Sequence, residues 1–287
     1  MNEAKSLSGA DGATEGDRLE APSFETLELT FEHAVATVTL NRPDRANSMN
    51  EQMWVDLDTC FRWLDDATFV RVVILAGNGK HFCSGIDLSM LGGLKGEGEP
   101  ARNVERLRRR ILELQGNLTA IEQCRKPVLA AIHSTCLGGG IDMVTCCDMR
   151  YCTADAYFAI KEIDVGIVAD VGTLQRLPYL VGDGLVRELA YTGRQVGAVE
   201  AERIGLINRV FENREALLAG VSELARTIAA KSPLAIRGTK ASLLYGRDRT
   251  VADALDYAAT WNSGMLSFAD VQTAIANAKG GDGVFGD

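Results

Sequence analysis

Two short apolar segments, each leading into a glycine-containing turn, constrain the fold of this chain more than any other feature. Residues 70–76 and 127–132 are nearly continuous apolar runs, typical of strands buried on both faces of a parallel sheet. The first leads to Gly85 and the second to the triple glycine at 138–140. A strand that runs through glycine into a helix exposes main-chain N–H groups where negative charge is favoured. Two such turns side by side could direct one N–H each at a single oxygen, as in an oxyanion hole. For either turn alone, glycines that only permit tight bends or close packing are the competing interpretation.

The pattern around these turns predicts alternating strands and helices. Residues 26–40 have the alternation of a β-hairpin, with the turn expected at Glu32 and His33. A helix is expected from about Asn50, because apolar residues recur there at helical spacing: Trp54, Leu57, Phe61 and Leu64. Residues 149–153 and 157–160 are predicted strands, and helices dominate beyond Gly172. The chain is therefore predicted to be an α/β protein with a helical C-terminal region.

Three segments are expected along the chain. Residues 1–22 are rich in Ser, Gly, Ala and acids, which predicts a flexible tail. Residues 23–231 form the α/β core that contains the candidate site, and residues 232–287 form the helical region. The last helices are partly apolar and have no further domain to cover them, so self-association is expected.

Composition and charge exclude several classes of function. The net charge of −9 argues against non-specific binding to nucleic acid or anionic membranes. No apolar run approaches the roughly 20 residues that span a bilayer, and the N-terminal stretch resembles neither a signal nor a transit peptide. A cytoplasmic protein without membrane insertion is therefore expected.

Cysteine and histidine usage argues against a metal or disulfide framework. The seven cysteines form no paired metal-binding spacing, their number is odd, and free buried thiols in a reducing compartment are expected. The three histidines are far apart and form no HExxH pattern. No metal site and no histidine-centred triad are predicted.

Carboxylates in apolar or glycine-rich surroundings are the candidate catalytic groups. Asp142 lies in the first turn of the helix that opens with the triple glycine, and Glu162 and Asp170 follow in a segment with few other polar residues. A carboxyl group in a low dielectric has a raised pKa, and neighbouring carboxylates raise it further, which suits proton transfer near neutral pH. Helix capping is the alternative for Asp142 and Asp170, since both stand near probable helix starts.

From about residue 24 to residue 277 the chain resembles the crotonase (enoyl-CoA hydratase/isomerase) superfamily. The resemblance lies in residues 41–43 (Asn-Arg-Pro), 84–87 (Ser-Gly-Ile-Asp), 127–132, the triple glycine and 147–150 (Cys-Asp-Met-Arg). It implies a spiral of ββα units with a C-terminal helical region. It also implies a homotrimer, or a homohexamer made of two trimers.

The same resemblance implies the binding groups of the site. The backbone N–H groups of Ile86 and Gly139 would hold a thioester oxygen. Arg45 and Ala46 match the segment that meets the nucleotide end of coenzyme A, and Lys240 is a further candidate there. The substrate would be an acyl-CoA, and no separate cofactor is implied.

The acids identify the subfamily that the chain resembles. Hydratases have glutamates at the positions of Asp142 and Glu162 and a glycine at the position of Asp170, whereas the present set resembles the Δ3,5-Δ2,4-dienoyl-CoA isomerases. Our hypothesis is that Glu162 removes a proton from C2 and Asp170 delivers one to C6, with Asp142 tuning their pKa values or making a hydrogen bond. The pair can titrate as a coupled unit, so the reverse assignment stays open. The alternatives are an enoyl-CoA hydratase and a non-catalytic acyl-CoA-binding protein of the same fold.

Overall fold

The structure is a computed structural model that describes residues 21–94 and 98–287, so the tail predicted at residues 1–22 lies almost wholly outside the described residues. The strands are β1 Leu27–Glu32, β2 Val35–Leu40, β3 Val72–Gly77, β4 Val128–Ile132, β5 Thr135–Leu137, β6 Met149–Thr153, β7 Tyr157–Ala159, β8 Val196–Gly197 and β9 Arg209–Phe211. The helices are α1 Glu51–Asp66, α2 Pro100–Gln123, α3 Gly139–Thr145, α4 Thr173–Arg176, α5 Asp183–Thr192, α6 Ala198–Arg203, α7 Arg214–Ala229, α8 Pro233–Tyr245, α9 Val251–Met265 and α10 Phe268–Ala278. Short 3₁₀ helices lie at Pro43–Arg45, Leu88–Leu94, Glu162–Val165, Leu177–Tyr179 and Gly246–Asp248.

A six-stranded sheet in the order β1-β2-β3-β4-β6-β9 organises the core. Only the β1–β2 hairpin is antiparallel, and each of the other neighbouring pairs is parallel. A second sheet has the order β5-β7-β8. The mixture of β-strand pairs and helices is the expected α/β spiral of ββα units with helices at the C-terminal end.

The β1–β2 hairpin turns one residue later than predicted. His33 and Ala34 occupy the turn with φ angles of 47° and 60°, and Glu32 still pairs with Val35. Two consecutive positive φ values are the pattern of a type I′ turn, whose twist matches that of the flanking strands. Neither residue is the Asn or Gly that normally signals this turn, which explains the one-residue error.

Strand β3 is buried on both faces, as its apolar run predicts. Val73 and Leu75 face the core that is shared with α1, whereas Val72 and Ile74 face a second core that is covered by α7. The apolar face of α1 is buried throughout, and the side chain of Asn50 caps this helix by accepting from the Met53 N–H at 3.1 Å. The sheet between two helical layers fixes the end of β3, which leads to the first glycine turn, and the end of β4, from which β5 leads to the second.

The chain beyond Gly172 is less uniformly helical than predicted. Strand β8 pairs with β7, and β9 extends the large sheet beside β6. The predicted strands at 149–153 and 157–160 are confirmed, the second ending one residue early, whereas β5 had not been predicted. These missed strands have two or three residues, too few for a period of two to be recognised.

The C-terminal helices differ in how they contact the core. Helix α8 buries Gly238 and Lys240. Helices α9 and α10, both described in full, contain no buried residue, and they expose large apolar side chains: Val251, Leu255, Met265, Phe268, Val271 and Ile275. The exposed apolar surface that the sequence predicts for this region is therefore present.

All seven cysteines are buried and free, as predicted: Cys60, Cys83, Cys124, Cys136, Cys146, Cys147 and Cys152. Burial raises the pKa of the thiols, to about 12 for Cys83 and Cys147. These thiols are packing groups of the core.

Candidate active site

The two glycine turns lie side by side at the ends of β3 and β5. Cys83 and Cys136 form an isolated parallel bridge, in which the Cys83 N–H donates to Thr135 O at 2.9 Å and the Leu137 N–H donates to Cys83 O at 3.1 Å. Gly85 follows with φ 94°, and a Cβ there would lie 3.0 Å from the oxygen of Leu137, so a side chain would force the two turns apart.

The N–H groups of Ile86 and Gly139 lie close together. A Cβ on Gly139 would be 3.6 Å from the Ile86 nitrogen. In the described part of the chain, neither N–H donates to a carbonyl of the surrounding loops and turns. Two adjacent N–H donors without an acceptor are the arrangement that binds an oxygen bearing developing negative charge.

The loop that carries Ile86 is held by an ion pair. Asp87 Oδ2 accepts from Arg42 Nη1 and Nη2 at 3.2 and 3.3 Å, and its other oxygen accepts from the Ser89 hydroxyl at 2.8 Å. The hydrogen bonds from Ser89 are the main cause that lowers the pKa of Asp87; burial opposes them, and the hydrogen bonds from Arg42 and Ser48 lower the pKa further. Arg42 and Asp87 stand in the sequence only as parts of separate motifs, and no local pattern predicts their contact.

Asp142 is a fully buried acid on α3. Asp142 is only 1% exposed, and its Oδ1 accepts a hydrogen bond from the Thr173 N–H at 2.6 Å. Burial raises its pKa from 3.8 to about 6, a rise that the hydrogen bonds of Thr173 oppose and the charge of Asp170 supports. A neutral and a charged form are therefore both accessible near neutral pH.

Glu162 lies directly beside the second glycine turn. It begins the 3₁₀ helix after β7, and its Oε1 would be 3.2 Å from a Cβ on Gly138. Its Oε2 is buried and, among the described residues, has no hydrogen-bond partner. Burial and then the charge of Asp142 raise the pKa of Glu162 to about 7. A buried carboxylate oxygen without a partner is costly to maintain in a fold, which indicates a group that meets a ligand.

Asp170 completes the group of acids. It is partly buried on the segment between the 3₁₀ helix and α4, and its main-chain carbonyl accepts from Gln115 Nε2 of α2 at 2.6 Å. Burial raises its pKa, and its charge contributes to the raised pKa values of both Asp142 and Glu162. The structure thus brings together three acids from separate stretches of chain.

An apolar cavity of about 310 Å³ opens next to Glu162. Its walls come from the segment after β7 and from α5, and polar groups lie on α5 at Asp183, Arg187 and Tyr191. The apolar lining is Ile160, Ile163, Ile167, Val168, Ala169, Leu174, Pro178, Val186 and Ala190. Such a cavity can hold an extended hydrocarbon chain with one end at the carboxylate.

The residues predicted to contact coenzyme A have different surroundings. Arg45 is exposed at the end of a 3₁₀ helix. Ala46, with φ 49°, accepts from the Ser84 N–H at 3.0 Å through its carbonyl and so lies beside the first glycine turn.

Lys240 does not fit the role predicted for it. Its ammonium is buried and donates to Asp148 Oδ2 at 2.8 Å and to Lys126 O at 3.0 Å. A buried lysine that donates to an internal carboxylate and a carbonyl anchors α8 to the core.

Two features are absent from residues 21–94 and 98–287. No group of three or more His, Cys, Asp or Glu side chains could hold a metal ion there. In the same ranges, no helix combines the length and apolarity needed to cross a bilayer.

Comparisons with known proteins agree with this geometry. A family model described as enoyl-CoA hydratase/isomerase matches residues 30–279. The peroxisomal Delta(3,5)-Delta(2,4)-dienoyl-CoA isomerase of Arabidopsis thaliana is 46% identical over 88% of this chain and 94% of its own length. The mitochondrial enzyme of the same name from Homo sapiens is 44% identical over 89% of this chain and 80% of its own. A crystal structure of an enoyl-CoA hydratase from Bacillus anthracis superposes with a TM-score of 0.83 at 29% identity, covering 91% of this chain and 99% of that one.

These names correct one expectation. The isomerases from Arabidopsis, mouse and human are named as peroxisomal or mitochondrial proteins, which contradicts the prediction of a cytoplasmic protein. That prediction rested on the absence of a recognisable N-terminal signal, which was weak evidence.

The family model covers most of the chain and relatives exceed 40% identity along most of its length, and so the chain belongs to the enoyl-CoA hydratase/isomerase family.

Proposed function

We propose that the protein is an isomerase that converts 3,5-dienoyl-CoA to 2,4-dienoyl-CoA. The observation that carries this proposal is the third acid, Asp170, whose charge acts on Glu162 and which directly follows Ala169 of the cavity wall. Relatives named for this activity match the chain over most of its length, which supports the same assignment.

The chemistry requires two proton transfers at separated carbons. A proton leaves C2, the electrons shift along the conjugated system, and a proton is added at C6. One carboxyl group cannot easily reach both carbons, so acids at two positions along the acyl chain are needed. During the first transfer, negative charge develops on the thioester oxygen, which the N–H groups of Ile86 and Gly139 stabilise in our scheme.

Proximity to the two N–H groups supports the assignment of roles in this proposal. C2 is bonded to the thioester carbonyl carbon, so the acid nearest the two N–H groups acts there. Glu162 is that acid, because its carboxyl group lies against Gly138, the residue before Gly139. Asp170 then donates to C6, and the two groups exchange protons with solvent before the next turnover. Asp142, held by Thr173, acts on the other two through its charge.

In the same proposal, other residues bind the hydrocarbon tail and the coenzyme A part of the substrate. The cavity beside Glu162 takes the hydrocarbon tail, and its apolar walls exclude water from the dienolate. Arg45 and Ala46, near the first glycine turn, meet the nucleotide end of coenzyme A. The chemistry that these residues support uses acids and amides only, with no separate cofactor.

The exposed apolar side chains of α9 and α10 support assembly into a homotrimer, or a homohexamer of two trimers. A monomer would leave several large apolar residues of these helices in water, including Phe268, which is 75% exposed. Light scattering of the purified protein measures this directly, and a monomeric mass at micromolar concentration would contradict it.

Parallel assays with a 3,5-dienoyl-CoA and a 2-enoyl-CoA test the proposed activity. Isomerisation brings the diene into conjugation with the thioester and raises the absorbance, whereas hydration of an enoyl-CoA removes conjugation and lowers it. We expect fast turnover of the dienoyl substrate and loss of most of it in Asp170→Asn. Undiminished turnover in that variant contradicts the scheme, and a preference for the enoyl substrate would identify a hydratase.

A further inference from the structure

Arg176, the last residue of α4, is a largely shielded cation behind the three acids. Its side chain is 14% exposed, and its Nε and Nη2 donate to Glu122 Oε2 at 3.1 and 3.0 Å. Nη2 also donates to Thr119 Oγ1 at 3.1 Å. Both acceptors belong to α2, so the guanidinium fastens α4 to that helix through charge-assisted hydrogen bonds.

The same guanidinium packs on the turn that holds Asp142. Gly172 has φ 136°, and a Cβ at this residue would overlap Arg176 Nη1. The following N–H, that of Thr173, donates to Asp142 Oδ1. Arg176 therefore occupies the space that a side chain would need, directly behind the hydrogen bond that orients the buried acid.

The charged and titratable groups around Asp142 come from several elements. Asp142 interacts with two carboxyl groups (Glu162 and Asp170), two thiols (Cys136 and Cys146) and one guanidinium group (Arg176). Glu122, on the far side of Arg176, also accepts from Arg247 of the 3₁₀ helix between α8 and α9. Within this set the arginine is the cation that opposes protonation of Asp142, and the Asp142 charge in turn opposes ionisation of Glu162.

We infer that Arg176 is a positioning residue that clamps the turn at 170–173 against α2 and holds its positive charge behind the hydrogen bond from Thr173 to Asp142. Through Asp142 it sets the pH range in which Glu162 accepts a proton. The kinetic part of this inference rests on the proposed isomerase function. Its electrostatic part concerns the unliganded protein alone.

Loss of the Arg176 charge is expected to shift the pKa values of Asp142 and Glu162 in opposite directions. Without the cation, Asp142 keeps its proton to higher pH. A neutral Asp142 no longer repels the charge on Glu162, and Glu162 then ionises at lower pH. Removing a positive charge from the site should therefore move the acid limb of the activity profile to lower pH.

The first measurement is the pH dependence of kcat/KM with a 3,5-dienoyl-CoA. In Arg176→Gln we expect the acid limb to move down by about one pH unit, the usual size of a neighbouring-charge effect. Arg176→Lys, which keeps the charge, should leave the limb in place. Arg194→Gln is the matched control, since Arg194 pairs with Glu188 and Glu200 on the surface. A limb that stays or moves upward in Arg176→Gln overturns the inference.

The second measurement needs no turnover. Infrared difference titration of the unliganded protein, with the Asp142 band assigned by Asp142→Asn, should show Asp142 titrating about one pH unit higher in Arg176→Gln. Glu122→Gln frees Arg176 from its competing carboxylate and should shift the same band to lower pH, so it tests the idea even where Arg176→Gln does not fold. If the wild type turns over no dienoyl-CoA, the proposed function fails while this titration still decides the role of Arg176. An Asp142 band unmoved in both folded variants refutes that role.

Discussion

The two sides of the candidate site are built from different parts of the chain. The oxyanion side consists of main-chain N–H groups at Ile86 and Gly139, placed by the ends of two strands. The acid side consists of side chains on α3 and on the irregular segments around the 3₁₀ helix and α4. The first side depends on backbone position and tolerates changes of side chain. The second depends on residue identity and on the burial and charge of its neighbours.

The largest effect is expected on the acid side. Glu162→Gln keeps the shape but cannot take a proton, so kcat should fall by about 10³, within the usual range for loss of a general base. Steady-state kinetics with a 3,5-dienoyl-CoA measure this. Asp164→Asn is the control, because Asp164 lies in the same 3₁₀ helix but pairs with Lys161 at the surface. Equal losses in both variants would mean that the fold of the segment, and not the acid, matters.

The oxyanion side should respond to the loss of an N–H and not to the loss of a side chain. Ile86→Pro removes the donor and should lower kcat by about 10²–10³. Ile86→Ala keeps the donor and should remain within a few-fold of wild type. The ratio of the two kcat values is the test, and an alanine variant as impaired as the proline variant would erase the contrast between the two sides.

The next largest effect is expected in the pH dependence of kcat/KM, which depends on the acid side. Burial and the charge of Asp142 raise the pKa of Glu162 to about 7, so kcat/KM should fall below about pH 7 as this base is protonated. Asp142→Asn removes the nearby charge and should move that limb to lower pH. Profiles of the two proteins between pH 5 and 9 provide the measurement. A wild-type limb near 4.5, the ordinary value for glutamate, would show that Glu162 is not perturbed.

The smallest effect is on stability, and it has opposite signs on the two sides. The pKa of Asp142 is raised from 3.8 to about 6 on folding, so the folded protein binds this proton more tightly than the unfolded chain. Stability is therefore lost as pH rises from about 4 to 6 and is not regained above that. Asp142→Asn should raise the free energy of unfolding at pH 8 by about 1–3 kcal/mol.

Urea unfolding at several pH values measures this difference. It should vanish near pH 3, where the aspartate is neutral in both states. Ile86→Pro has no such compensation and should only destabilise. A less stable Asp142→Asn at pH 8 would show that the extra strength of a hydrogen bond from Thr173 to a charged acceptor outweighs the cost of the buried charge.

The positions of the two glycine turns could be predicted from the sequence, whereas the identity of their N–H donors could not. The apolar runs of β3 and β4 and the glycines that follow give the turns their place, although the N–H groups themselves leave no mark in residue types. The three acids were also recognised, from their unusual apolar surroundings. Local pattern and tertiary structure agree at these points.

What the sequence could not show is how the acids are held. The contacts of Arg176 with Glu122 and of Asp170 with Gln115 join residues more than 50 positions apart, and no periodicity reports them. The contact of Lys240 with Asp148 was not predicted for the same reason, because the two residues are 92 positions apart. The strands β5, β8 and β9 were not predicted, because each is only two or three residues long.

The seven buried thiols can serve as natural probes of partial unfolding. With every sulfur enclosed and several pKa values far above neutrality, alkylating reagents can reach these groups only in molecules that have opened. Because they are spread from α1 to β6, the order in which they acquire a label would trace which layers of the protein separate first. A brief pulse of reagent followed by mass spectrometry would therefore chart partial unfolding without any introduced probe.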